Sequence, residues 1–284
     1  MRPHARTWFS AVLAVTAALA AFCLYVQQTN TRALGRTYPV ARVDVRSASG
    51  ADAIARGRHL ADVTGCTDCH RQDLRGGPFG EASWLSGRYY ASNLTRKAER
   101  YSDADIARIV RTGVRPDGVG VHAMPSFGFV RLTDSELADI LAFVRSLPVG
   151  GDEQPAHFIG PLDQWHLWRG DFRPAAAYVA EERAKMPAVV GSEHTEAWHL
   201  AGIVCAECHG GDLKGNGWDS GAPDLVVAAS YTPEQFTRLL RTGIGLDGKE
   251  HGLMTIIARD RLHRLRDDEI AGLHAYLVAR ARAL

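Results

Sequence analysis

Charge imbalance, methionine and cysteine are all scarce in this chain of 284 residues. A formal net charge of +1 leaves no electrostatic footprint for a nucleic acid. No long stretch alternates between apolar and polar residues, so nothing reads as an extended half-buried strand. There are only four methionines, Met1 among them, and five cysteines, so any repeated placement among them is informative. Hydrophobic residues make up 46% of the chain, enough for two cores rather than one. Twenty-eight glycines suit a loop-rich fold that closes tightly around a flat ligand.

Four of the five cysteines fall in two motifs of one form, Cys66-Thr67-Asp68-Cys69-His70 and Cys205-Ala206-Glu207-Cys208-His209. Two thiols three positions apart can each form a thioether with one haem vinyl group, and the adjacent His then meets the iron. A lone C-x-x-C also fits half a zinc site or a redox dithiol. Two copies that each end in His point instead to two covalent haem c groups, attached through Cys66, Cys69, Cys205 and Cys208, with His70 and His209 as proximal ligands.

At the N-terminus, Arg2 and Arg6 precede an uncharged, mainly apolar run from Thr7 to Val26. That is about one bilayer crossing, since roughly 20 apolar helical residues span the hydrocarbon. Ala18-Leu19-Ala20 offers a cleavage site, but apolar sequence continues beyond it, which favours a retained anchor over a cleaved signal. Cys23 reads as part of that helix, because bulky Phe22 precedes it where lipid-attachment sites carry small residues. With basic residues held inside, the rest of the chain is exported, which places it in the bacterial periplasm.

The exported part repeats itself. Asp73-Leu74-Arg75-Gly76 recurs as Asp212-Leu213-Lys214-Gly215, Arg111-Thr112-Gly113 as Arg241-Thr242-Gly243, and Asp117-Gly118 as Asp247-Gly248. Each copy reads as three helices. The first, near 51–63 and again 195–203, runs into the haem motif. The second opens on capping boxes at Ser102/Asp105 and Thr232/Gln235 and stops at Gly113 and Gly243. The third opens at Thr133/Glu136, with a buried stripe of Leu137, Ile140, Leu141 and Val144, answered by Ile270, Leu273 and Leu277. The expected class is all-α: two tandem units preceded by one transmembrane helix. Boundaries fall at 1–6 (cytoplasmic n-region), 7–26 (anchor), 27–49 (linker), 50–148 (first unit), 149–190 (connector) and 191–284 (second unit). Prolines 155, 161, 174 and 187 break regular structure in the connector, while Phe158, Trp165, Trp168 and Phe172 suit a segment packed across both units.

The sixth iron position decides the chemistry. Met124 and Met254 occupy matching places between the second and third helices and are the candidate ligands. His122 and His251 lie close before them and keep bis-His ligation open. Arg111 and Arg241 suit haem propionates or solvent. His59 and His199 read as helix-surface or haem-edge residues, and His157, His166, His194, His263 and His274 as mostly solvated.

From about residue 50 onward the chain resembles membrane-anchored di-haem c-type cytochromes built from two class I cytochrome c domains, of the kind that accompany periplasmic dehydrogenases. Asn93-Leu94-Thr95, the stretch Gly113 to Gly118 and Met124-Pro125 carry the resemblance. It implies His70/Met124 and His209/Met254 ligation. It also implies single-electron transfer from a dehydrogenase or quinone-linked donor to a cytochrome or terminal oxidase, with no catalytic residue. Met254-Thr255 departs from Met124-Pro125, so the second Met loop is expected to be held differently. The competing class is a di-haem, peroxidase-like enzyme with one open iron.

Overall fold

The computed structural model describes residues 3–215 and 221–283. Arg2 of the expected n-region and residues 216–220 and 284 of the expected second unit lie outside these. The chain is mostly helical, and its first helix, α1 (Pro3–Leu34), has 32 residues. At 1.5 Å per residue it is about 48 Å long. From Thr7 onward it is long and apolar enough to cross a membrane, with an 18-residue stretch of mean hydropathy 2.2, and its side chains are largely exposed. It runs eight residues beyond the expected limit at Val26, so the first part of the expected linker is helical.

In the first repeat, α2 (Ala51–Val63) leads into the short α3 (Cys66–His70). An antiparallel hairpin follows, β1 (Gly77–Ser83) with β2 (Gly87–Ala91), in the register Gly77 to Ala91 and Phe79 to Tyr89. Then come α4 (Leu94–Arg100), α5 (Asp103–Thr112), a 3-10 turn at 126–129 and α6 (Asp134–Ser146). The capping boxes at Ser102 and Thr133 form, and Gly113 stops α5 at φ 67°, where only glycine avoids a Cβ penalty. The hairpin and α4 were not expected. Glycine-rich strands carry no alternation, and α4 is too polar to show a stripe; its signal is the Asn93 cap, whose side chain accepts from the Arg96 N–H.

The connector is more regular than its prolines suggest. Phe158–Ile159 adds a third strand, β3, beside β2. α7 (Pro161–Arg169) and α8 (Ala175–Ala184) follow. Pro161 sits in the first turn of α7 and Pro174 immediately precedes α8, positions where a missing N–H costs nothing. The connector touches both repeats: Glu182 accepts from Gly211 N–H at 2.9 Å, and Arg131 donates to Lys185 O. α7 packs on α1, with Phe22 edge-on to Trp168 and Asn30 donating to Gln164 O at 2.7 Å.

The second repeat contains α9 (Thr195–Val204), α10 (Ala206–His209), a 3-10 turn at 225–230, α11 (Pro233–Thr242), α12 (Gly252–Asp260) and α13 (Asp267–Ala283). In each repeat the first helix crosses the last. α2 meets α6 at Gly57, where an added Cβ would lie 1.8 Å from Asp139 O. α9 meets α13 at Ala197, opposite Gly272. One continuous buried cluster, including Val63, Leu137, Leu141, Leu273 and Leu277, runs through both repeats.

Two reciprocal contacts join the repeats. His59 on α2 meets Glu269 on α13 at 2.8 Å, and His199 on α9 meets Glu136 on α6 at 2.8 Å. The same His of each repeat meets the same Glu of the other, which is the signature of a pseudo-twofold, isologous interface. These histidines are therefore neither free helix surface nor haem edge.

Candidate haem-binding site

The first motif is built by a tight local geometry. Gly65, at φ 82°, ends the approach from α2 and starts α3. After His70 the chain folds back on itself, with Gly76 N–H donating to His70 O at 2.9 Å; in the second copy Gly215 N–H donates to His209 O at 2.8 Å. Leu74 and Leu213 take φ of 55° and 62°, an uncommon conformation for a side chain of that size. Both are fully buried, so core packing holds a strained turn in place at the same point of each repeat.

A cavity of about 770 Å³ opens beside this turn, lined by Cys66, Cys69, His70 and Met124, and is large enough for a flat cofactor. Apolar side chains of α5 and α6, such as Ile109 and Val144, form much of its wall. His70 Nδ1 lies 2.8 Å from Ser92 O. That bond fixes the ring and leaves Nε2 as the metal-binding nitrogen. Burial lowers the His70 pKa, which keeps the imidazole neutral, as ligation requires.

Two further observations test the fit. Both ring nitrogens of His122, on the cavity wall, are buried without a partner, which fits a side chain that would meet a polar group of a bound cofactor. Burial, with His157 alongside, pushes its pKa down to about 4. The thiols lack the lowered pKa that marks a reactive redox dithiol. Burial pushes Cys69 up to about 11 and Cys205 up to about 12. Among the described residues no three His, Cys, Asp or Glu side chains cluster as a metal site. The donor set and the cavity fit a covalently held haem.

In the second repeat His209 Nδ1 lies 2.8 Å from Pro223 O, repeating the His70 arrangement. Cys205 and Met254 pack against the core. Met254 sits in the first turn of α12, whereas Met124 lies in irregular chain ahead of the 3-10 turn. Thr255 takes the place of Pro125 and donates to Gly243 O at 2.8 Å. The two Met segments are thus held by different means.

Other expectations need correction. Arg111 and Arg241 bind backbone and a carboxylate: Arg111 donates to Leu132 O at 2.7 Å and pairs with Asp134 at 2.8 Å. Arg241 repeats this with Leu265 O at 2.7 Å and Asp267 at 2.5 Å. Each ties the end of the second helix to the start of the third. His274 is buried, 2.9 Å from Tyr231 O, and His157 lines the cavity, so neither is solvated. His251 is exposed and paired with Asp247 at 3.1 Å.

Residues 54–148, which hold the helices and cavity of the first repeat, match the cytochrome c family model. That family implies a covalently bound haem c with iron. The chain is 30% identical over 171 residues to the cytochrome c subunit of alcohol dehydrogenase (quinone) from Gluconobacter oxydans (strain 621H), covering 55% of this chain and 34% of that subunit. It is 23% identical over 266 residues to the fructose dehydrogenase cytochrome subunit of Gluconobacter japonicus, covering 79% of this chain and 52% of that one. The chain therefore spans about a third and about half of these relatives' lengths.

Proposed function

We propose that the chain is a membrane-anchored, periplasmic di-haem cytochrome c that passes single electrons from a dehydrogenase or quinone-linked donor to a cytochrome or terminal oxidase. The observation that carries this is the convergence of Cys66, Cys69, His70 and Met124 on one cavity. Cys66 and Cys69 would hold one haem and Cys205 and Cys208 a second, with His70 and Met124, and His209 and Met254, as the iron ligands. Held by His and Met, the haem would supply one-electron chemistry and leave no place for a substrate. The chain's own work is to orient the imidazoles through Ser92 and Pro223, exclude water with an apolar wall, and keep His70 neutral. The dehydrogenase named in both relatives supports a dehydrogenase as electron donor.

The exposed apolar face of α1, unbroken through Ala18-Leu19-Ala20 and packed on α7 at its far end, supports a retained anchor. An intact-mass measurement of membrane-extracted protein tests this, because a chain beginning after residue 20 overturns it.

Spectroelectrochemical titration of the full chain tests the relay. Two low-spin haems, both with the long-wavelength Met–iron band when oxidised, are expected. A high-spin haem that binds cyanide readily favours the peroxidase-like alternative, for which partnerless His122 beside Met124 is the available acid–base group.

A further inference from the structure

Arg261 follows α12 in the second repeat and is 7% exposed. Its Nε donates to Asp68 at 2.9 Å and its Nη1 to Glu207 at 2.9 Å. These carboxylates hold the same position in the two haem motifs, each immediately before the second cysteine. One guanidinium therefore joins the two attachment loops directly. Arg264 reinforces it, reaching Asp68 at 3.3 Å.

The surroundings are shaped for this contact. At Gly65 an added Cβ would lie 2.2 Å from the Arg261 guanidinium carbon. Gly65 has no counterpart in the second repeat: His59-Leu60-Ala61 stands seven residues before Cys66, and His199-Leu200-Ala201 stands six before Cys205. Gly128 occupies the place in the first repeat that Arg261 holds in the second, counted from Arg131-Leu132 and Arg264-Leu265. An added Cβ there would sit 3.1 Å from Glu207 Cβ. The pseudo-twofold interface thus carries its bridging arginine on one side only. That side matters, because Arg261 and Glu207 both line the first repeat's cavity beside Cys66 and Cys69.

We propose that Arg261 is a positioning residue through which the second repeat completes the first repeat's haem pocket, clamping the two attachment loops together and setting the potential of the first haem. The inference rests on the di-haem reading. A fixed positive charge in a partly dry wall disfavours the extra positive charge of the ferric state, so it raises the potential of the haem beside it. Removing it also leaves Glu207 unpaired and Asp68 with only Arg264 beside that haem, which acts in the same direction.

The test uses the full chain in detergent, with Arg261→Gln and Arg261→Lys compared by haem content and by titration of both potentials. The first-repeat haem is assigned by its response to Met124→His. Arg261→Gln should keep two haems per chain, lower the first-repeat potential and move the second less, while Arg261→Lys recovers most of the shift. Unchanged potentials in Arg261→Gln, or equal losses in Gln and Lys variants, overturn the proposal. Should Arg261→Gln not assemble, the double variant Asp68→Asn, Glu207→Gln leaves the guanidinium uncompensated and should raise the first-repeat potential; a fall or no change overturns the proposal. One haem per wild-type chain defeats the di-haem reading itself and is visible before any variant is made.

Discussion

The two helix crossings make opposite predictions for the same substitution, glycine to alanine. At Gly57 an alanine Cβ would stand 1.8 Å from Asp139 O and 2.3 Å from its carbonyl carbon. Both are main-chain atoms of α6, and Asp139 is further held by Arg56 at 2.7 Å. No rotamer relieves the clash, so α2 and α6 must separate by about 1.5 Å to restore a normal carbon–oxygen contact. Overpacking of that kind costs about 1–3 kcal/mol or more, against about 1 kcal/mol gained from alanine's helix propensity. At Gly272, on α13, the new Cβ meets only Ala197 Cβ at 3.6 Å, an ordinary contact, so only the propensity gain remains. Gly57→Ala should therefore destabilise by about 2 kcal/mol, a fall of about 1 M in the urea midpoint, while Gly272→Ala leaves stability unchanged or raises it. Urea unfolding followed through far-UV circular dichroism and the haem bands reads both. A Gly57→Ala protein as stable as the wild type, or a Gly272→Ala protein equally damaged, would refute the reasoning.

The reciprocal His–Glu contacts predict a pH response. Burial pushes the Glu136 and Glu269 carboxyls up, but hydrogen bonds from His199 and His59, with the helix-cap N–H groups of Thr133 and Arg266, outweigh it and hold both below the usual value. A carboxyl depressed in the folded state contributes stability that is complete above its unfolded pKa, about 4.3, and is lost as pH falls through the folded value. Glu269→Gln should cost about 1–2 kcal/mol at pH 7, and urea midpoints of variant and wild type should converge in the acid range below pH about 4. Met124→Ala should abolish one Met–iron band, give a high-spin, cyanide-binding haem and lower one potential, read by absorption and titration. Cys66→Ala with Cys69→Ala should halve the covalent haem per chain in a pyridine haemochrome assay.

Features written into neighbouring residues were readable from the chain. The Ser102/Asp105, Thr133/Glu136 and Thr232/Gln235 boxes and the glycine stops at 113 and 243 all form, because a cap is satisfied within four residues. What depends on distant partners was not readable. β2 is completed by β3 about 70 residues later, and Asn93, buried fully, donates to Gly150 O at the start of the connector. Prolines 161 and 174 look like breakers until the helices they open are seen. The recurrence of His59 and His199 was visible, but their partners lie in the opposite repeat, and a single repeat holds no trace of that pairing.

On the proposed di-haem reading, the pseudo-twofold gives the duplication a physical consequence beyond carrying two cofactors. In a symmetric pair each interface residue acts twice, so no contact can distinguish one haem from the other. Here the symmetric contacts, His59 with Glu269 and His199 with Glu136, hold the repeats together. The unsymmetric ones cluster at the attachment loops. Gly128 stands where the second repeat has Arg261, Gly65 is inserted in one copy, and Asp62, 3.9 Å from Arg264, is replaced by Gly202 against Arg131. Direction in a relay needs two unequal potentials, and charges on one side of a shared interface supply inequality without altering either ligand set. If that is how the chain sets direction, exchanging the side should reverse it: Gly128→Arg with Arg261→Gly should narrow or invert the gap between the two potentials. An unchanged order in an assembled two-haem protein would place the origin of the inequality in the differently held Met124 and Met254 segments instead.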